Sequence, residues 1–272
     1  RDWKKGGHGS VDLSRAIVES CDVYFYELAQ SLGIERMHEF MVQFGFGKPT
    51  GISLMGESSG LMPSPGWKRR ARNQPWYPGE TLITGIGQGF MLTTPLQLAS
   101  ATATLAMRGV RLKPRILLRR VEPKTLQPVE TAPEPISAVK PVRHSNWKEV
   151  VEAMRNVVHG PRGTARRISI GANYQMAGKT GTAQVFAIGQ DEEYREKEIA
   201  KHLRDHGLFI AFAPVEDPRI AVAIVVENGG SGSRAAAPIA RKVIDYYLNS
   251  LKQQNSDDSL MLTAAESAVP ER

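Results

Sequence analysis

Three small groups of residues in this chain have types and spacings that can do chemistry. The first is Lys179-Thr180-Gly181-Thr182, within the run Ala177-Gly178-Lys179-Thr180-Gly181-Thr182-Ala183-Gln184-Val185-Phe186. A fixed cation and two hydroxyls here would face an anionic substrate, and the small residues let a substrate backbone come close. The second is Ser20-Cys21-Asp22. Acyl transfer by a serine needs a nucleophile, a proton path and an oxyanion site, and a second serine beside lysine can relay the proton. In isolation, Ser20 and Asp22 are equally well explained as helix caps. The third group is Asp2, His8 and Cys21, which offer oxygen, nitrogen and sulfur, the donors zinc accepts. A tetrahedral site needs a fourth ligand, and three such residues alone more often mean a buried cysteine and two surface groups.

Gly178-Lys179-Thr180 could also end a phosphate-binding loop. That loop requires glycine at position 173, which is Asn173, so the pattern fails. The triplet instead leads into an alternating β-rich run. Residues 174–188, 207–213 and 219–227 read as strands, and the short Pro214-to-Pro218 link predicts an antiparallel hairpin for the last two.

The remaining elements must position these groups. Residues 10–19 predict a short helix, and Asp22 stands where it could N-cap the next, Val23 to about Leu32, closed by Gly33. Ile34, Met37, Phe40, Met41 and Phe44 have helical spacing up to Gly45. Residues 45–90, rich in Gly and Pro, read as a long irregular loop. Thr94-Pro95 opens a helix that Gly109 ends, with Leu96, Ala99, Ala103 and Ala106 as a small-residue face. Residues 110–122 predict a strand, 122–143 a Pro-rich surface excursion, and Asn146 to Val158 a helix. Residues 190–205 read as an exposed charged insertion, and Pro238 to Leu251 as a terminal helix. These divisions give one domain over 1–252 and a loose tail over 253–272.

At 272 residues and 41% hydrophobic, the chain can bury a sizeable core. Its formal charge is +7, yet no Lys/Arg cluster is interleaved with aromatics, which argues against nucleic acid. The densest cluster, Lys68-Arg69-Arg70-Ala71-Arg72, reads as a solvated loop. Cys21 is the single cysteine, so no internal disulfide forms. No apolar run reaches the length of a membrane span. The chain opens at Arg1-Asp2-Trp3 without an initiator Met, and reads as a piece of a longer polypeptide whose anchor would lie upstream.

Several segments together resemble the transpeptidase domain of class B penicillin-binding proteins. They are Glu19-Ser-Cys-Asp-Val-Tyr-Phe-Tyr26, Gly85-Ile-Gly-Gln-Gly89 with Thr93-Thr-Pro95, Gly160-Pro-Arg-Gly-Thr-Ala165, Ala177 to Phe186, and His206-Gly-Leu to Pro214. Ser-Cys-Asp, rather than a motif ending in Asn, and Glu227-Asn-Gly-Gly230 favour the cell-elongation type. The resemblance implies an α/β fold of the penicillin-binding/serine β-lactamase kind, an antiparallel sheet with helices on both faces. It implies D,D-transpeptidation of peptidoglycan stem peptides through an acyl-serine that β-lactams also form. An inner-membrane anchor, a periplasmic catalytic domain, and glycosyltransferase and scaffold partners come with it. Alternatives are a β-lactam-binding sensor or hydrolase of the same fold, or a non-catalytic scaffold.

By the same resemblance, Ser20 relays a proton and Asp22 orients the substrate amide or a lysine. Lys179 supplies positive field to Ser20 and to the substrate carboxylate, Thr180 and Thr182 bind that carboxylate, the Thr182 N–H completes the oxyanion hole, and Gly181 leaves room for a strand-like substrate. A Ser–Lys arrangement needs no His–Asp pair. The family's nucleophile is the Ser of a Ser-x-x-Lys motif ahead of Ser20, and none occurs in the 19 residues that precede it. Ser137-Ala-Val-Lys140 and Ser145-Asn-Trp-Lys148 match the pattern in the wrong order, Ser145 being better explained as a helix N-cap. The nucleophile is expected a few tens of residues before Arg1. Some elongation-type members carry zinc on an Asp, a His and a Cys spaced like Asp2, His8 and Cys21, plus an upstream Asp. The resemblance thus implies a structural zinc pinning the Ser-Cys-Asp loop.

Overall fold

The Asp12 carboxylate accepts the Arg15 N–H at 2.7 Å and so starts α1 (Leu13–Glu19). Ser20 ends α1 in the left-handed conformation, with φ 56°. The chain then enters α2 (Asp22–Leu32). Asp22 is the first residue of this helix and not its cap, a position Cys21 takes without a side-chain bond. A carboxylate in the first turn still suits the helix dipole. Gly33 turns the chain into α3 (Ile34–Met41), which tightens through Val42–Phe44 and stops at Gly45 with φ 96°. The computed structural model describes residues 2–141, 143–185 and 199–267.

Residues 45–90 are less irregular than their Gly and Pro content predicts. They contain α4 (Pro65–Arg72) and α5 (Pro78–Thr84). Ser64 accepts the Trp67 N–H at 3.2 Å, with Pro65 at the first helical position. Glu80 accepts the Tyr77 N–H at 2.8 Å. The basic cluster Lys68–Arg72 is therefore helical, not a solvated loop. The Lys68 side chain is 1% exposed; it pairs with Glu80 and lies 4.2 Å from the Tyr77 ring centre. Burying the stem and pairing the charge is the route by which a lysine enters an interior.

α6 (Pro95–Ala106) begins where Thr94-Pro95 predicts, with Thr94 and Gln97 capping each other reciprocally. The expected strand over 110–122 is split, because Pro114 cannot donate to a ladder. β1 (Val110–Leu112) and β2 (Arg119–Val121) pair antiparallel with β4 (Pro135–Ala138) and β3 (Pro128–Glu130) respectively. The surface excursion thus folds back as two short ribbons. α7 (Ser145–His159) follows; its cap position is His144, so Ser145 is not the N-cap expected of it.

The central sheet has the order β5 (Ala177–Ala183), β6 (His206–Ala213), β7 (Ile220–Val226), antiparallel throughout. Lys179 faces Ile210 across the ladder and Thr182 faces Gly207. The strand expected over 174–188 shortens accordingly, and Phe186 and residues 187–188 lie outside the described residues, as does 190–198 of the charged insertion. α8 (Gly232–Ser267) starts before Pro238 and continues past Leu251. No Gly or Pro occurs between Leu251 and Ser267 to stop it, so the expected tail is helical through Ser267.

Helices α6, α7 and α8 pack on this sheet, covering both faces. On β6, Phe209, Ala211 and Ala213 point one way and Phe212 the other, and all four are fully buried. Ala236, Ala237 and Ala240 let α8 approach closely. The fold is the expected α/β architecture. Among the described residues, no helix is long and apolar enough to cross a membrane.

Candidate active site

Two contacts in series bring the separate motifs together. α7 packs on β5, and α1 packs on α7. The C-terminal end of α1 is thereby held over the Lys-Thr-Gly strand. The Lys179 ammonium donates to Ser20 Oγ at 2.7 Å and to the Thr180 carbonyl at 2.8 Å, across 159 positions of chain in the first case.

Ser20 is fixed by its backbone. A left-handed conformation costs a non-glycine residue about 1–2 kcal/mol, and here it is repaid by local bonds. The Cys21 N–H reaches Ala16 O at 2.9 Å, and the Trp3 indole N–H donates to Ser20 O at 2.9 Å. The sharp turn aims the hydroxyl at Lys179 and not along the helix.

Lys179 is partly accessible as a residue, but its ammonium end lies in a desolvated environment. Burial lowers its pKa to about 8, while the negative charge of Asp22 pulls the other way. Asp22, half-buried, is pushed above the usual carboxylate range by burial and by Asp2, with Lys179 opposing. Ser20, Asp22 and Lys179 therefore form one electrostatically linked set.

The outer side of β5 carries the other expected residues. Thr180 and Thr164 share a hydroxyl hydrogen bond of 3.0 Å. Gly181 and Gly178 differ in what a Cβ would meet. At Gly178 it would stand 2.6 Å from the Phe209 ring, so packing inside the chain demands glycine. At Gly181 the nearest atom is Leu208 Cβ at 3.3 Å, a tight but less severe contact that a shift of about a few tenths of an ångström would relieve. Thr182 is exposed, and its carbonyl accepts the Gln88 amide at 2.8 Å.

Thr164 and Gln88 are additions to the residues expected from sequence. Both lie in segments that carry the family resemblance, but neither has a spacing that assigns a role. Thr164 reaches the site because Gly163 lets the chain fold tightly onto α7: a Cβ there would sit 2.2 Å from Val157 O. Gln88 is held in the turn after α5, where α5 packs on α2. Glu19, 10% accessible at its side chain, binds Arg15 at 2.7 Å and Arg162 at 3.4 Å, joining α1 to the loop after α7. The Arg15 hydrogen bond, against the effect of burial, holds Glu19 below the usual range.

Behind Ser20, one ligand atom each from Asp2, His8 and Cys21 lie within 4.8 Å of one another. His8 Nδ1 is 3.1 Å from Asp2 Oδ2, and the buried His8 Nε2 has no hydrogen-bond partner. Burial, and then Asp2, push the Cys21 thiol up. Burial would raise Asp2 too, but the Lys4 N–H, His8 and Cys21 outweigh it and hold the carboxyl low. Zinc accepts oxygen, nitrogen and sulfur donors, and with a buried imidazole nitrogen left without a partner this O, N, S cluster has the chemistry to supply three of its four ligands.

Residues 1–245 match the penicillin binding protein transpeptidase domain family. The peptidoglycan D,D-transpeptidase MrdA of Haemophilus influenzae is 44% identical over 249 residues, covering 92% of this chain and 38% of the relative. The chain thus spans about two fifths of the length of such relatives. Pseudomonas aeruginosa PBP2, solved in complex with WCK 5153, superposes with TM-score 0.78 at 47% identity, over 91% of this chain and 51% of that one. PBP2 in its complex with MreC from Helicobacter pylori gives 0.74 at 34%, over 91% and 42%.

Proposed function

The chain belongs to the penicillin-binding protein transpeptidase family, and from that premise we propose that it forms two walls of a peptidoglycan D,D-transpeptidase active in cell elongation. The observation that carries this reading is the 2.7 Å contact between Lys179 Nζ and Ser20 Oγ, which joins two motifs distant in sequence.

In this reading a serine hydroxyl attacks the carbonyl that precedes the terminal D-alanine of a stem peptide. The peptide C–N bond breaks, D-alanine leaves with the proton, and an ester to the serine remains. The amine of a neighbouring stem then attacks that ester, restoring the serine. Ser20 lies where it can pass the proton to the leaving amine, held there by Lys179. The Thr182 N–H points to the same open edge of β5 as its carbonyl, where it can receive the developing oxyanion. Lys179 and the hydroxyls of Thr180 and Thr182 face the donor's carboxylate, and Asp22 orients the donor amide or a lysine.

The acylated serine belongs to a Ser-x-x-Lys motif ahead of Ser20. Ser137, exposed on β4, and Ser145, at the end of α7 remote from Thr164, are poorly placed for that role. Asp2, His8 and Cys21 would hold zinc, whose contribution is a cross-link behind the Ser20 turn and no reacting atom. The partners follow: stem peptides, β-lactams, a glycosyltransferase, and a scaffold such as the MreC bound by the Helicobacter pylori relative. A periplasmic site beside an inner-membrane anchor suits that substrate.

The test is to treat the intact protein with a fluorescent penicillin. Covalent labelling that Lys179→Ala suppresses supports the reading, as does release of D-alanine coupled to transfer onto an amine acceptor. Persistent lack of labelling in folded protein overturns it, and transfer to water alone points to a hydrolase.

A further inference from the structure

β5 is an edge strand of the central sheet among the described residues. Residues two apart on a strand turn their backbone groups to the same side. The carbonyls of Thr180 and Thr182 both accept side-chain donors, Lys179 Nζ at 2.8 Å and Gln88 Nε2 at 2.8 Å, which puts both on the open edge away from β6. An extended peptide adding to this edge would need those same acceptors for its own N–H groups.

We propose that Gln88 is a donor-selecting residue: its carboxamide occupies the Thr182 carbonyl in the free enzyme, and an acyl donor binds by replacing it with an amide N–H of its own. This rests on the acyl-transfer reading above and goes beyond it. The placement is built into the fold. The Gln88 N–H is tied to Ile83 O at 3.0 Å and the Gly87 N–H to Thr84 O at 2.9 Å. Gly87 and Gly89 flank Gln88 with φ 76° and 74°, which favour glycine. The bond itself is solvent-exposed, so breaking it is easy. Nothing lies within 4 Å of the place a Gly87 Cβ would take, so there is open space beside the turn. The occupied carbonyl also protects an edge strand from unwanted pairing. Selection follows from the exchange. A donor with an amide N–H at this point recovers the bond that Gln88 gives up, whereas one without it leaves Gln88 in place.

The experiment measures acylation of the intact protein by a penicillin bearing an acylamino side chain and by a carbapenem, which lacks that amide. One intramolecular hydrogen bond corresponds to about a two- to tenfold change. In Gln88→Ala, the penicillin's dissociation constant before acylation should fall by that factor, with the acylation step itself unchanged. The carbapenem should be unaffected. Gln88→Asn keeps the amide but is one methylene too short to reach, and should match Gln88→Ala while preserving the polarity of the turn. An unchanged or weaker penicillin affinity in both variants overturns the proposal, and so does an equal gain for both drugs. Failure of the unaltered protein to label with either drug would instead sink the acyl-transfer reading itself.

Discussion

Lys179 has a pKa of about 8, lowered by burial against the pull of Asp22. Below that value the ammonium is charged and can hold a donor carboxylate; above it the neutral amine cannot. Acylation by carboxylate-bearing β-lactams should therefore decline as pH rises through about 8, while Lys179→Ala should be slow throughout, by about a hundredfold or more. A rate profile flat from neutrality to pH 10 would contradict this. The triplet around Lys179 was legible in sequence, and so was Ser20-Cys21-Asp22. Their pairing in one site was implied by the family resemblance and by no local pattern; the contact itself depends on a left-handed turn at a serine, which no residue type announces. Thr164 and Gln88 were hidden for a related reason: each touches β5 through tertiary packing and not through spacing. The trio Asp2, His8 and Cys21 stood out by donor chemistry and by the spacing that the family resemblance implies for a zinc site, and the structure brings its atoms within 4.8 Å. If zinc is bound, purified intact protein should contain about one ion per chain, and chelation should lower its melting temperature. Cys21→Ser should abolish both the metal and the chelator effect; a metal-loaded protein indifferent to chelation would remove the idea.

Elements carry the residues through close approaches. At Gly232, where α8 begins, an added Cβ would stand 2.2 Å from Leu208 O and 2.5 Å from Gly181 O. Gly232→Ala must push α8 away from β5 and β6. A loss of about 1–3 kcal/mol is expected, read as a lower unfolding midpoint in denaturant, together with slower acylation because Gly181 shifts. An unchanged midpoint would mean that the helix start can relax without cost. Helix starts with a cap and a following proline were readable in sequence, as Thr94-Pro95 illustrates. The same signal at Ser64-Pro65 lay within a Gly- and Pro-rich stretch that reads as loop, and to that cap the structure adds the burial of Lys68 beside Glu80, which anchors the basic segment. Pro114 likewise marked where the strand over 110–122 breaks, yet the pairing of its halves with β4 and β3 is a long-range choice.

Across the whole molecule, stability and site geometry depend on the same layer. Phe212 is fully buried on β6, between β5 and β7. Phe212→Ala should destabilise by about 3–5 kcal/mol and lower the melting temperature. Penicillin labelling should fall in step with the folded fraction. Normal melting with lost labelling would assign Phe212 to the chemistry and not to the core. The sequence by itself determined the family, the order of the motifs and the antiparallel hairpin of β6 and β7, since these depend on residue type, local periodicity and short links. Only the tertiary structure decided that α1 rests on α7 and α7 on β5, which brings Ser20 to Lys179 and gathers Asp2, His8 and Cys21 behind them. It also decided which β5 carbonyls stay on the open edge, because that depends on which neighbour the strand pairs with. Such contacts join residues far apart in the chain, and packing of whole elements sets them where local preference is silent.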